Sequence, residues 1–400
     1  MEGPPDLARF DGEFAEVLRV FQATARALVA GDPALRAAVR PSPALLAAAH
    51  DSLSVTPRGA RAFFAHRFTP RWLTPPPPAE IVDLRPRGPL RRVQGERPRL
   101  ATSEPHEAEV VHLGRPQTAS AATDAPRPAS AGFLTGYYEP VVEGALAPSA
   151  RFTAPILARP PDLVSFAPGE GPRDFDPTLA GARRRADGGF EPYPERAKIE
   201  DAGHAPIVWL EDAVEVFLIQ VQGSARVNLP DGRQMRLVYD GRNGLAYTSI
   251  GRWLIDAGEI PESEMSLARL KAWLRAHGLR PGEPGRELMR RNRSYIFFRL
   301  EEARAPAEGP IGGAGVPLTP LRSIAVDRTR WSYGLPFWIE AELPEGPFRR
   351  LMIAQDTGSA IVGEARFDLF FGSGPEAGVR AGAIRHPCRA SVLEPKDAAR

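Results

Sequence analysis

Two aspartates, Asp356 and Asp368, lie twelve positions apart in a stretch rich in glycine, small residues and phenylalanine. The stretch spans residues 354–378 and reads AQDTGSAIVGEARFDLFFGSGPEAG. Carboxylates at the ends of short strands, beside glycine-rich turns, are placed as acid/base chemistry on a polar substrate requires. The competing interpretation is that Asp356 caps a turn and that Asp368 faces water.

Further clusters of aromatic and polar residues project from glycine-rich turns elsewhere in the chain. Aromatic rings stack on sugar rings, and amide and hydroxyl groups bond sugar hydroxyls, so this combination is typical of a carbohydrate groove. Each cluster is weak evidence alone, because glycine-rich turns are also ordinary hairpin chemistry. The candidate substrate-binding residues in these clusters are Thr135, Tyr137, Tyr138, Glu139, Gln220, Gln222, Ser224, Tyr239, Asn243, Tyr247, Ser249, Gln355 and Ser359.

Some of these candidates also have a purely structural interpretation, which the sequence leaves open. Gln220 and Gln222 would share the polar face of a strand over residues 216–221, but any half-exposed strand shows that pattern. Glu139 either bonds sugar hydroxyls or fixes the turn by which the chain enters a second domain. Asp327 either belongs to the site or caps the turn that follows it.

The composition of the 400-residue chain, with 43% apolar and 25% charged residues, is that of a globular protein. Its length exceeds one ordinary core, so two domains are expected. The net charge of +2 gives no reason to expect nucleic acid as a partner. No apolar run is long enough to form a transmembrane segment, and the N-terminal residues show neither a signal pattern nor a lipid-acceptor cysteine.

The single cysteine, Cys388, rules out an internal disulfide and a cysteine-based metal site. We expect it to be a buried structural thiol. The seven histidines form no cluster with ligand spacing. The sequence therefore predicts neither a metal nor any other cofactor.

Residues 5–67 predict helices, because apolar residues recur there at helical spacing. Residues 85–130 are rich in Pro, Arg, Ala, Ser and Thr and predict a disordered insertion. From Gly132 onward, short apolar runs alternate with turn signals, interrupted by helices predicted over 250–257 and 265–277. Many short strands at modest spacing indicate sheets or barrels rather than a parallel α/β layer.

Taken in order along the chain, the clusters resemble the membrane-bound lytic murein transglycosylase A family. The matching motifs are GYYEP, QVQGS…DG, YxGxNG…YxSIGR, NxSYxFF, GVPLTP…SIAVDR and AQDTGSAI…DLFFGSGPEAG. They cover most of residues 132–393, and collinear motifs of this length are highly specific. The chain departs from the family pattern at Val362, where the family usually carries lysine, and at Ala225 and Cys388.

This resemblance implies a mainly β fold with N-terminal helices, in which a double-psi β-barrel domain and an inserted β-rich domain flank a substrate groove. The barrel domain would comprise residues 1–140 and 300–400, and the inserted domain residues 141–299. The groove would bind a glycan strand of peptidoglycan. The family's catalytic acid matches Asp368, and two further aspartates of the family lie near it.

The implied reaction cleaves the β-1,4 bond between N-acetylmuramic acid and N-acetylglucosamine without water, leaving a 1,6-anhydromuramyl end. One carboxyl group, that of Asp368, would protonate the leaving oxygen and then accept the proton of the attacking C6 hydroxyl. The neighbouring aspartates of the family match Asp356 and Asp327. Asp356 would either support the acid electrostatically or brace the turn at Gly358.

A general acid must be protonated near neutral pH, so burial should raise the pKa of Asp368. On a strand, Arg366, Asp368 and Phe370 share one face. Phe370 would help to desolvate the acid, whereas a close Arg366 would favour the carboxylate. We therefore expect Arg366 to point away or to be occupied elsewhere.

Two other functions compete with this one. In the first, Asp356 and Asp368 act as an inverting pair that hydrolyses peptidoglycan with water. In the second, the protein is a non-catalytic envelope protein whose groove binds peptidoglycan without cutting it. By resemblance, the protein would act as a monomer in the periplasm, associated with the outer membrane if a lipid anchor precedes this chain.

Overall fold

The structure is a computed structural model, and the segment predicted to be a disordered insertion (85–130) lies outside the residues that it describes. The described residues are 14–73, 132–166, 171–176, 178–202, 205–302 and 309–397. The helices are α1 (Phe14–Ala30), α2 (Pro43–Ser52), α3 (Ala60–Arg67), α4 (Arg196–Asp201), α5 (Ala213–Gln222), α6 (Ile250–Asp256), α7 (Leu267–Ala276), α8 (Pro284–Arg291) and α9 (Pro375–Gly382).

Strands account for most of the remaining regular structure. They are β1 (Phe68–Trp72), β2 (Gly132–Glu139), β3 (Val141–Ala145), β4 (Ala154–Leu157), β5 (Leu163–Ser165), β6 (Gly181–Arg184), β7 (Phe190–Pro192), β8 (Pro206–Leu210), β9 (Ser224–Asn228), β10 (Gln234–Arg242), β11 (Ile296–Glu302), β12 (Ser323–Ala325), β13 (Pro336–Leu343), β14 (Gly346–Asp356), β15 (Arg366–Ser373) and β16 (Arg385–Pro395).

A closed barrel forms the first β unit. Its strands follow the order β16-β13-β14-β12-β15-β2, and a second pairing of β16 with β2 closes the ring. The pairs β12–β14 and β15–β2 are parallel, and β1 extends the sheet at β16. Alternate side chains fill the barrel core, including Leu134, Ile324, Phe337, Met352, Phe367 and Val392. The mainly β fold class is thus confirmed, while the double-psi connection stays a prediction.

The N-terminal helices pack against one side of this barrel, which confirms the helices predicted there. The helices α1 and α3 and the first residue of β1 contribute a cluster of phenylalanines with ring centroids 5.2–6.1 Å apart. This cluster is continuous with buried residues of β13, β14 and β16. Its members are Phe14, Phe21, Phe63, Phe64 and Phe68.

Strands β3 to β11 pair only among themselves within the described part of the chain. Six of them form a sheet in the order β11-β10-β9-β3-β8-β4, and β5, β6 and β7 form a small separate sheet. Helices α5 to α8 pack around a second apolar cluster beside them. This pairing pattern supports a division at about residues 141 and 300, although the domain boundaries themselves stay a prediction.

The strand predicted over residues 216–221 is wrong, because this segment lies in helix α5. Asp212 caps the helix by accepting hydrogen bonds from the amides of the second and third residues after it. Gly223 ends it in the left-handed region at φ +84°, which glycine adopts without strain. Both sides of the helix are covered, by the sheet and by the other helices. A short apolar run buried on both sides has no periodicity that distinguishes strand from helix.

Cys388 is buried in β16 with 3% of its surface exposed, and burial raises its pKa to about 12. The prediction of a buried structural thiol is confirmed. Among the described residues, no helix is long and apolar enough to span a bilayer. The same residues contain no group of three His, Cys, Asp or Glu side chains that could hold a metal ion.

Candidate active site

Asp368 lies on β15, between its two neighbouring barrel strands. It is in register with Thr135 of the parallel strand β2 and with Ala325 of the antiparallel strand β12. Strand alternation sends Phe367 and Leu369 into the barrel core and leaves Asp368 facing outward. The Thr135 hydroxyl donates a hydrogen bond of 2.5 Å to Oδ1 of Asp368. Two barrel strands therefore fix the position of this carboxyl group.

Burial raises the pKa of Asp368 from its usual 3.8 to about 6. The nearby charge of Asp356 acts in the same direction, while the charge of Arg366 and the Thr135 hydrogen bond oppose it. Phe370, two residues further along β15, is fully buried and packs its ring 5.3 Å from that of Tyr137. A substantial fraction of the carboxyl group is therefore protonated just below neutral pH.

Arg366 is occupied elsewhere, as expected from the sequence. Its Nη2 donates to the Thr135 hydroxyl at 2.9 Å, its Nη1 donates to the carbonyl of Phe367, and its guanidinium lies over the ring of Phe133. Within the described part of the chain it makes no ion pair with Asp368. The arginine therefore acts on Asp368 through its charge and through the shared Thr135 hydroxyl, without a direct hydrogen bond to the carboxylate.

Asp356, at the end of β14, has both oxygens bonded to protein groups. Oδ1 accepts from the Gly313 amide at 2.8 Å, and Oδ2 accepts from the Tyr137 hydroxyl at 3.0 Å. Arg36 Nη1 lies 3.9 Å from Oδ1. These partners do not include the turn at Gly358, so the contacts favour an electrostatic role for Asp356 over a turn-bracing one. Burial and the two aspartates raise the pKa of Tyr137 well above its usual value, which keeps it a neutral donor.

Arg36 is a site residue that the sequence gives no signal for. It lies in the loop between α1 and α2, more than 200 positions from Tyr239 and more than 300 from Thr357. Its Nη1 donates to the Thr357 carbonyl at 2.5 Å, and its guanidinium stacks 4.0 Å above the ring of Tyr239. Because Thr357 follows a barrel strand and Tyr239 belongs to β10, Arg36 joins the two β units beside Asp356.

A cleft runs past these groups between the barrel loops and the strands of the second β unit. Its inner part, about 80 Å³, is lined by Asp356 and Asp368, and an outer part of about 840 Å³ shares Arg36 and residues 357–359 with it. Val362 lines the outer part and is 72% exposed. The predicted site residues on the cleft walls are Tyr137, Gln220, Gln222, Tyr239, Tyr247, Asp327, Ser359, Asp356 and Asp368.

Glu139, at the end of β2, is fully buried and does not line the cleft. Its carboxylate accepts hydrogen bonds from Arg226 at 2.8 Å, from Arg236 at 3.1 Å and from the Ser373 hydroxyl at 2.5 Å. The arginines come from β9 and β10, and the serine comes from the barrel. The structure therefore supports the interpretation of Glu139 as a residue that fixes the junction between the two β units.

Two predicted amides are also fully buried and bonded to protein groups. Asn243 binds the Arg293 carbonyl at 2.8 Å and the Tyr295 amide at 3.0 Å. Gln355 donates to Thr24 of α1 at 2.8 Å and accepts from Ser323, which ties the helix to the barrel. These contacts hold the scaffold of the cleft rather than a ligand.

Gln220 and Gln222 occupy different faces of α5. Gln220 is buried, accepts from Arg196 Nη1 at 2.6 Å and donates to the Ile296 carbonyl at 3.2 Å. Gln222 is partly exposed on the cleft wall, where its Oε1 accepts from the backbone amide of Tyr138 at 3.2 Å. Gln222 is the better placed of the two to contact a ligand.

The remaining predicted residues have mainly structural contacts. Ser249 caps α6, and Ser224 lies in β9. Tyr138 packs its ring against the barrel core. Asp327 accepts from the amide and hydroxyl of Thr329 at 2.9 and 2.6 Å, and from the Gly363 amide at 2.8 Å. Its contacts are those of a turn-capping residue at the edge of the cleft.

Comparisons with known proteins agree with this architecture. Residues 133–299 match the model of the MltA specific insert domain, and residues 322–394 match that of the 3D domain. The chain is 32% identical over 272 residues to Membrane-bound lytic murein transglycosylase A of Escherichia coli (strain K12), a match that covers 65% of each protein. The protein of that name from Vibrio cholerae is 31% identical over 265 residues, covering 63% of this chain and 62% of that protein. The chain thus spans somewhat less than two thirds of the curated relatives that it matches.

Solved structures extend the similarity. The crystal structure of membrane-bound lytic murein transglycosylase from Agrobacterium tumefaciens has 30% identity and a TM-score of 0.73, covering 98% of this chain and 95% of that one. The structure of E. coli MltA with bound chitohexaose has 30% identity and a TM-score of 0.52, covering 66% of this chain and 72% of that one. Two collinear family models and a solved relative that aligns along nearly its whole length show that this chain belongs to the membrane-bound lytic murein transglycosylase A family.

Proposed function

We propose that the cleft binds a glycan strand of peptidoglycan and that the chain is a lytic transglycosylase with Asp368 as its single general acid and base. Asp368 protonates the glycosidic oxygen between N-acetylmuramic acid and N-acetylglucosamine. The C6 hydroxyl of the muramyl residue then attacks C1 and gives its proton to the carboxylate, leaving a 1,6-anhydro ring. Both proton transfers use one group, so the acid is regenerated at the end of each cycle.

The observation that carries this proposal is the environment of Asp368. A pKa of about 6 lets the carboxyl group hold a proton before bond cleavage and accept one afterwards under near-neutral conditions. Thr135 fixes its orientation from the neighbouring strand. An aspartate that only capped a turn would face solvent and backbone amides, which lower rather than raise its pKa.

Asp356 supports the water-free reaction over an inverting hydrolase. An inverting enzyme needs a second carboxylate free to activate a water molecule. Both oxygens of Asp356 already accept hydrogen bonds from Gly313 and Tyr137, and Arg36 lies beside one of them. Its fixed negative charge instead suits the stabilisation of positive charge that develops on the sugar ring during cleavage.

The cleft and the relatives together support the proposed substrate and compartment. Tyr239 and Tyr247 offer aromatic surface, and Gln222 and Ser359 offer polar groups, as carbohydrate binding requires. The similar E. coli structure holds chitohexaose, a β-1,4-linked glycan. The relatives are named as membrane-bound murein enzymes. We accordingly propose that the protein acts in the periplasm, at the outer membrane if a lipid anchor precedes this chain. That it acts as a monomer stays a prediction.

Mass spectrometry of soluble products from purified sacculi tests the reaction. Wild-type protein should release anhydromuramyl products, Asp368→Asn should release none, and Asp231→Asn, a matched change in an exposed hairpin, should behave as wild type. Reducing-end products from the wild type would establish a hydrolase instead. Binding to sacculi without any product would establish a non-catalytic binding protein.

A further inference from the structure

The outer part of the cleft carries an excess of positive charge that the proposed reaction does not use. Most of the charged side chains on its walls are arginines, contributed both by the barrel loops and by the second β unit. The arginines are Arg36, Arg159, Arg173, Arg242 and Arg328, and the described acidic residues beside them are Asp240 and Asp327. Five cations therefore face two carboxylates along this wall.

Those two carboxylates do not neutralise the arginines. Asp327 directs its oxygens to Thr329 and Gly363, and the guanidinium nearest to it is that of Arg330 at 3.8 Å. Asp240 lies 3.9 Å from Arg299. In the described ranges, neither aspartate forms an ion pair with an arginine that lines the cleft. Arg36 lies 3.9 Å from Asp356, and the other four arginines of the wall have no carboxylate partner among the described residues.

Backbone carbonyls hold two of these arginines in place. Arg159 donates to the carbonyls of Asp240 and Leu163 at 2.9 and 2.8 Å, and Arg328 donates to that of Ala37 at 2.9 Å. A carbonyl orients a guanidinium but carries no net charge to balance it. Each of these side chains therefore keeps its charge and further donors for a ligand.

Arg242 is the last residue of β10. It is partly buried, and within the residues that the structure describes its guanidinium makes neither a hydrogen bond nor an ion pair. Burial and the charges of Arg328 and Arg36 lower its pKa, which shows that like charges converge on this position. A guanidinium placed among like charges gains most from an anionic ligand that would relieve their repulsion.

We propose that Arg159, Arg242 and Arg328, the arginine group, form a subsite for the carboxylate carried by the substituent on C3 of the muramyl residue. This inference rests on the proposed function. Guanidinium groups bind carboxylates through paired hydrogen bonds. That carboxylate is either the lactyl carboxylate of a strand without peptides or a carboxylate of the peptide stem. An extended stem of three residues spans about 10 Å. The outer part of the cleft, which carries the arginine group, adjoins the part lined by Asp368 at Arg36 and residues 357–359.

Binding measurements on non-cleaving protein test the subsite. In the Asp368→Asn background, calorimetry compares three ligands: chitohexaose, a muramyl oligosaccharide without peptides and the same oligosaccharide with stems. Adding Arg242→Gln and Arg328→Gln should weaken binding of the anionic ligands by about tenfold or more and change chitohexaose binding by less than about twofold. Arg349→Gln, an equal change at an exposed arginine of β14, is the matched control and should change neither.

Unaltered chitohexaose binding also shows that the double variant is folded. A loss limited to the stem-bearing ligand assigns the subsite to the stem carboxylates, and an equal loss for the peptide-free muramyl ligand assigns it to the lactyl carboxylate. Undiminished anionic binding, or an equal loss for chitohexaose, overturns the inference and leaves the proposed function intact. If the Asp368→Asn protein binds none of the three glycans, the proposed function fails together with the subsite.

Salt dependence provides a measurement that needs no arginine variant. Raising the ionic strength from about 0.05 to 0.5 M should weaken the anionic ligands selectively, because it screens the charges on which they depend. Chitohexaose, which is neutral, should be nearly unaffected. Equal salt dependence for neutral and anionic glycans would contradict the subsite.

Discussion

Two carboxyl groups contact strand β2 and differ in their electrostatic surroundings. Glu139 is the last residue of this strand, and Asp368 lies beside it on the neighbouring strand β15. Glu139 has no exposed surface, yet Arg226 and Arg236 bind its oxygens directly. Asp368 is less buried, but its direct hydrogen-bond partner is the neutral hydroxyl of Thr135. Two arginines thus contact the first group directly, whereas the surroundings of the second raise its pKa and favour the protonated acid.

The difference shows that burial alone does not make a general acid. Burial raises the free energy of a carboxylate, and a directly bound guanidinium restores it. Near Asp368 the available cation, Arg366, is directed to Thr135 and to a backbone carbonyl instead. The position of the neighbouring arginine side chains therefore distinguishes the surroundings of the two carboxyl groups.

The largest expected effect is on turnover. Asp368→Asn should lower kcat by about 10²- to 10⁴-fold, because it removes the proton donor while preserving the size of the side chain. Glu139→Gln should retain most of its turnover per folded molecule, since Glu139 lies outside the cleft. Initial rates of product release from sacculi, normalised to the folded fraction, distinguish the two. Equal losses in the two variants would remove the functional distinction between the carboxyl groups.

The free energy of unfolding should rank the two variants in the opposite order, with the larger loss in Glu139→Gln. Glu139→Gln leaves Arg226 and Arg236 without their carboxylate and should lower the free energy of unfolding by about 3–5 kcal/mol. Denaturant titration at pH 7 measures this loss. Asp231→Asn, in an exposed hairpin, serves as the control and should be close to wild type. A Glu139→Gln protein as stable as wild type would show that the buried cluster does not hold the two β units together.

A smaller effect follows from the raised pKa of Asp368. Folding favours its protonated form, so the stability that this group contributes is complete below about pH 4 and is lost as the pH rises through about 6. Asp368→Asn does not titrate, and should gain up to about 2 kcal/mol over wild type between pH 4 and pH 7. Thermal unfolding at several pH values checks this gain. A stability difference that does not change with pH would contradict the raised pKa.

The smallest expected effect concerns Arg366. Its charge lowers the pKa of Asp368, so Arg366→Gln should move the alkaline limb of the pH–rate profile upward by less than about one unit. Gln can still donate to Thr135, which limits structural disturbance. Arg385→Gln, on the exposed side of the neighbouring strand β16, is the matched control. A downward shift in Arg366→Gln would mean that Arg366 does not act on the acid through its charge.

Much of the fold could be predicted from the chain. Runs such as 155–157, 207–210 and 337–339 are apolar, short and bounded by turn signals, and all are strands. Helix α5 was missed because both of its sides are covered. Helix α9 was missed because its sequence, PEAGVRAG, contains two glycines and begins with proline, which is typical of a loop.

The candidate site was predictable only in part. Asp368 lies in a specific motif, but a motif does not show whether a polar residue faces the cleft or the scaffold. Asn243 and Gln355 lie in motifs of the same kind, yet both are buried in the scaffold. The sequence could not reveal this, because a buried amide with full hydrogen bonding and an exposed amide have the same sequence signature. Arg36 depends on a contact across more than 300 positions, which no local pattern encodes.

Strand β16 closes the barrel, so the surroundings of Asp368 are complete only after this strand has been synthesised. Strand β16 pairs with β1, β13 and β2, so the ring stays open until residues 385–395 have been made. Strand β2 is made more than 200 residues before β15, the strand that carries Asp368. Such distant pairings form late, after the chain's local elements. In a nascent chain, Asp368 therefore lacks its assembled barrel surroundings until β16 has been made and has paired with β2 and β13.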